Sequence, residues 1–152
     1  MKSVALAAAL LATAVAQPVL AAGKPDTAGS CYTPTALEAE QAIRFVTDLM
    51  VVSTACQNTI YGEFRARNQN AIIGYQKAMI AHFHNSKGAF DSWNTSLANE
   101  SSRRQNGVPT AQICQQAAEM LKQASALDSK GFHDLAVAKA TTMSTSYSRC
   151  GK

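Results

Sequence analysis

Residues 33–57 read TPTALEAEQAIRFVTDLMVVSTACQ, and the way this stretch folds decides the architecture. Thr33 is suited to cap a helix whose first residue is Pro34, because proline lacks only an N–H that a helix start leaves unpaired. Thr35 and Glu38 stand at the spacing of a capping box. Ala42, Phe45, Leu49, Val52 and Cys56 then recur at three- and four-residue intervals. Ile43, Val46 and Met50 widen that stripe, which predicts a helix from about residue 35 to 57, buried over much of its circumference.

Working outward, Tyr61, Phe64, Asn68, Ile72, Tyr75, Met79 and Phe83 continue the helical spacing. Phe90, Trp93 and Leu97 carry it past a turn at Asn85-Ser86-Lys87-Gly88. An unbroken helix over 59–103 would be about 67 Å long, so a break near Gly88 is expected. Gln105-Asn106-Gly107-Val108-Pro109 is a loop, and Thr110 is placed to cap the next helix. Ile113, Ala117, Met120, Leu121, Ala124 and Leu127 form its core stripe. Asp128-Ser129-Lys130-Gly131 turns the chain, and Phe132, Leu135, Ala136, Ala140 and Met143 mark a last helix before a Ser/Thr-rich tail. No segment alternates as a strand would. The expectation is an all-α fold: a small bundle of four or five helices over 35–152, entered through an extended segment, 22–34.

Ahead of that lies MKSVALAAALLATAVAQPVLAAG. Lys2, the apolar run Val4 to Ala16, Pro18 and the small residues beyond it have the layout of a cleavable signal peptide, 1–21, cut after Ala21. The run is shorter than the roughly 20 apolar residues that span a bilayer, and Cys31 is too distant from the cut for a lipoprotein. The destination expected is secreted or periplasmic, with no stable membrane insertion after cleavage. The whole chain has 14 Lys and Arg against 10 Asp and Glu. So mild a basic bias argues against nucleic acid and leaves an anionic envelope component or a protein as the partner.

Four cysteines, Cys31, Cys56, Cys114 and Cys150, make two disulfides the expectation for an exported chain. A straight helix over 35–56 separates its ends by about 31 Å, whereas bridged Cα atoms lie within about 7 Å. That disfavours Cys31–Cys56, and with it Cys114–Cys150. Seven extended residues after Met143 reach about 23 Å, enough for the favoured set Cys56–Cys114 and Cys31–Cys150.

The chemically dense stretch is FDSWNTSLANESSRRQNG, 90–107. Trp93 shares a helix face with Phe90 and Leu97, which reads first as core. With Glu100, Arg103 and Arg104 it also makes the candidate binding face. Glu100-Ser101 resembles the acid-bearing dipeptide of lytic transglycosylases, without the Gly, Met and Gln signature of those enzymes. A glutamate beside arginines favours its charged form, the reverse of what a general acid needs. An ordinary i,i+3 or i,i+4 contact with Arg103 or Arg104 suits it better.

His82, His84, His133 and Asp134 are the metal-type residues, but i and i+2 on a helix diverge, so no metal set is assigned. A haem held by His and one of Met50, Met79, Met120 or Met143 is the less economical reading, since methionine also fills cores. Arg65, Arg67, Arg103 and Arg104 converge only if their helices pack antiparallel. No catalytic residue and no cofactor is assigned. The function expected is that of an exported, non-catalytic binding or accessory protein of unknown ligand. The alternatives are a cell-wall or polysaccharide enzyme using Glu100, and a metal- or haem-binding bundle.

Overall fold

The computed structural model describes residues 31–143 and 147–150; the expected signal peptide and most of the lead-in lie outside them. Seven helices follow in order: α1 (Pro34–Ala55), α2 (Ile60–Arg67), α3 (Gln69–His82), α4 (Lys87–Arg104), α5 (Thr110–Gln116), α6 (Ala118–Ala126) and α7 (Ser129–Met143). Among the described residues there is no strand, only a parallel bridge between Tyr32 and Arg149. The all-α expectation stands; the count of four or five does not.

α1 is the axis of the molecule, packing against all six other helices. Thirteen of its 22 residues are buried, the consequence of an apolar stripe too wide for one face. Thr33 Oγ1 accepts from the Ala36 N–H at 3.1 Å and Pro34 opens the helix. The capping box does not form. The helix starts two residues earlier than an N-cap at Thr35 would require, and Glu38 turns instead to Tyr75 and His133.

The additional helices come from breaks that an apolar stripe does not register. α2 and α3 part at Asn68, fully buried, whose Nδ2 donates to the carbonyls of Phe64 (3.0 Å) and Leu127 (3.2 Å). A side chain competing with the backbone for hydrogen bonds is what asparagine contributes inside a helical run. α3 and α4 part at 83–86, where His84 (φ 53) and Asn85 (φ 62) are left-handed. Gly88, the expected breakpoint, lies inside α4, which Ser86 caps through the Ala89 N–H at 3.2 Å. α5 and α6 are separated by Ala117 alone. Thr110 is the first residue of α5 rather than its cap; Pro109 precedes it with no side-chain bond. Asp128 Oδ1 accepts from the Gly131 N–H at 2.7 Å, so α7 begins within the expected turn.

Two apolar clusters flank α1. One gathers Phe45, Leu49, Phe64, Leu121 and Phe132; the other gathers Ile43, Met79, Phe83, Phe90, Trp93 and Leu97. Met79 belongs to the core, Met50 and Met120 are half-buried, and Met143 is 40% exposed, so the last methionine leaves the core stripe expected of it.

Gly107 has φ +77 in the loop between α4 and α5, with open space where a Cβ would sit. Gly107→Ala should therefore lower stability through backbone strain alone, by about 1 kcal/mol. Urea denaturation checks this, and an unchanged midpoint would contradict the left-handed geometry.

Candidate functional site

The cysteines pair as Cys31–Cys150 and Cys56–Cys114, with Cα atoms 4.7 and 5.7 Å apart, and α1 holds Cys31 and Cys56 at opposite ends. None of the four is free. A fold locked in this way fits oxidising surroundings. Among the described residues no helix is long and apolar enough to cross a membrane.

α1 shows one strip of its surface between α4 on one side and α6 and α7 on the other. A hollow of about 670 Å³ is floored there by Gln41, Arg44, Phe45 and Asp48 and walled by Met120, Lys122 and Lys139, among others. A second of about 280 Å³ includes Asp48, Val52, Arg104 and Met120. A third of about 310 Å³ includes Arg44, Asp48, Glu100 and Arg104. Asp48 lines all three, so they run together as one cleft along α1, within the size range of small-ligand sites.

A ladder of charges crosses the cleft. Arg104 pairs with Asp48 at 2.6 Å and with Glu100 at 2.9 Å; Glu100 also faces Arg44 at 3.6 Å. Arg44 Nε reaches Glu40 Oε1 at 2.9 Å. Burial alone would lower the pKa of the Arg44 guanidinium, but Glu40, Tyr147 and Glu100 outweigh it and raise the value. Glu40 is 1% exposed and accepts a further bond from Tyr147 OH at 2.9 Å, while Gln41 Nε2 donates to that hydroxyl at 3.2 Å. Tyr32 lies beside the same carboxylate, its ring 4.2 Å from His82 and 5.0 Å from Tyr147. Burial, then Glu40, pushes both phenols above their ordinary range. Burial lowers His82, with Glu40 partly opposing it.

A smaller cluster sits elsewhere on α1. Glu38 Oε1 accepts from Tyr75 OH at 2.9 Å and lies 2.8 Å from His133 Nδ1. Burial, followed by the bond to Glu38, raises the Tyr75 phenol. No serine, threonine or lysine nucleophile is bonded to this histidine among the described residues.

The stretch 90–107 is divided by the fold. Trp93, 8% exposed, packs against Phe83 and Phe90; it belongs to the core and not to a binding face. Glu100 and Arg104 line the cleft, both committed to ion pairs, and Arg103 is exposed with no ion pair among the described residues. Arg67 donates to the Ala124 and Ser125 carbonyls, each at 3.0 Å, and so serves the end of α6. The four arginines therefore do not gather at one place. His82 and His133 likewise lie apart, His82 packed against the Tyr32 ring and His133 paired with Glu38. No three His, Cys, Asp or Glu side chains converge as a metal set among the described residues.

Glu40, Arg44, Tyr32 and Tyr147 escaped the sequence reading. A signal was there: Glu40 lies three residues after Leu37 and three before Ile43, a charge on the buried stripe of α1, where charged residues are seldom found unpaired. Comparison of the chain with protein-family models, with curated proteins and with solved structures returns no match.

Proposed function

We propose that this chain is an exported, periplasmic accessory protein, a non-catalytic binder, and that the cleft along α1 receives its partner. The observation that carries the reading is the ladder itself. Asp48, Arg104, Glu100 and Arg44 are all engaged with one another, so Glu100, the acid an enzymatic reading would use, is held between two arginines, which favour its charged form and not the protonated form a general acid needs. Lys122 and Lys139 outnumber Glu119 on its wall, all three without ion-pair partners among the described residues, over the apolar surface of Phe45 and Met120. That combination favours an anionic envelope component or an acidic protein surface.

The test is retention of the oxidised wild-type protein on immobilised envelope fractions. Lys122→Glu combined with Lys139→Glu should weaken retention at least about tenfold, ~1.4 kcal/mol, with the melting temperature unchanged. Glu100→Gln should bind as the wild type does. Turnover of peptidoglycan that disappears in Glu100→Gln would replace this reading with the enzymatic one.

A further inference from the structure

Beneath the cleft, and independent of whether the cleft binds anything, four side chains of metal-binding type meet at one end of α1. We propose that Tyr32, Glu40, His82 and Tyr147 form a site for a hard trivalent cation, for which ferric iron is the probe. Tyr147 OH is 2.9 Å from Glu40 Oε1, and the Tyr32 ring lies against both His82 (4.2 Å) and Tyr147 (5.0 Å). Two atoms here are buried without a hydrogen-bond partner among the described residues: Glu40 Oε2 and His82 Nε2. A buried polar atom left so is uncommon and calls for a water, an ion or a chemical role.

Charge balance selects the ion over a water. Glu40, Glu100 and Asp48 oppose Arg44 and Arg104 in one connected network, three carboxylates against two guanidinium groups, a net charge of −1. Coordination by both tyrosines breaks two phenol O–H bonds, sends two protons to solvent and forms two metal–oxygen bonds, with no change in the metal's oxidation state. The network then carries −3, which a trivalent cation cancels and a divalent one does not. Two phenolates and a carboxylate are hard donors, and no thiolate competes, since every cysteine is bridged.

The chain also fixes these donors in advance. Tyr32 follows Cys31 and Tyr147 precedes Cys150 by three residues, so the Cys31–Cys150 bridge clamps both tyrosines over α1. A site held ready in this way avoids part of the ordering cost of binding.

Titration of the oxidised full-length protein with ferric nitrilotriacetate should give a visible phenolate-to-iron charge-transfer band that saturates at one equivalent. Tyr147→Phe and Tyr32→Phe should each lower the apparent affinity at least tenfold, while Glu63→Gln, on the exposed face of α2, leaves it unchanged. Circular dichroism establishes that each variant is folded. No band in the folded wild type overturns the proposal. So does a band that persists in the folded Tyr32→Phe/Tyr147→Phe double variant, since iron would then sit elsewhere on the surface. Zinc run in parallel should bind more weakly than iron; equal affinity would remove the charge-balance argument and the proposal with it.

Discussion

Replacing Cys31 and Cys150 together by alanine is expected to lower stability by about 2–5 kcal/mol, the upper part of that range being the more fitting. The bridge spans 119 residues of sequence, against 58 for Cys56–Cys114. Loop-closure entropy grows with the logarithm of length, so the longer loop gains roughly 0.6 kcal/mol over one half its size. A second loss adds to the first. The segment 147–150 is held by the Tyr32–Arg149 bridge, by Tyr147 on Glu40 and Gln41, and by the disulfide. Once its anchor is cut, Tyr147 is free to leave a carboxylate that is 1% exposed. A buried charge stripped of a hydrogen-bond donor is costly. Thermal melts of the Cys31/Cys150 and Cys56/Cys114 double variants should both fall well below the wild type, the former further. An unchanged melt for the former would mean that the terminal clamp contributes nothing to the folded state.

The helical class was legible because burial imposes a period. On α1 the apolar positions recur every three or four residues across more than five turns, and no other regular structure buries such a pattern. The number of helices was not legible, because each extra break depends on a partner remote in sequence. Asn68 interrupts α2 and α3 in part through the Leu127 carbonyl, and nothing near residue 68 announces Leu127. At 83–86 the chain enters left-handed geometry at His84 and Asn85, although Gly88 is the residue with the lower cost for it. Local preference pointed to Gly88; the packing of Phe83 and Phe90 with Trp93 sets the break earlier.

The candidate site was legible only in fragments. Glu100 and Arg104 sit four apart, so their pairing follows from helix geometry. Their partners Asp48 and Arg44 are more than fifty residues away, and Tyr147 reaches Glu40 across 107. Trp93 drew attention as the sole tryptophan, yet its spacing with Phe90 and Leu97 was the better guide, since large aromatic surface is mostly spent in cores.

Phe132→Ala should be the most damaging single substitution in the apolar interior, costing about 3–5 kcal/mol. Phe132 on α7 is fully buried, with its ring 5.0 Å from Phe64 on α2, 5.4 Å from Tyr75 on α3 and 6.1 Å from Phe45 on α1. Two of these contacts are edge-on, an arrangement that adds about 0.5–1.5 kcal/mol beyond area burial. Truncation removes one wall from four helices at once, and α1, held by contacts with all six other helices, cannot move in to close the gap. The cavity cost is therefore retained rather than relaxed away. At roughly 3–5 °C per kcal/mol for a chain of this size, the melting temperature should fall by about 10–20 °C. Phe132→Leu, which refills most of the volume, should recover more than half of that loss. A fall of only a few degrees for Phe132→Ala would mean that α7 is not held through this ring, and that the aromatic cluster does not join α1, α2, α3 and α7 as the packing implies.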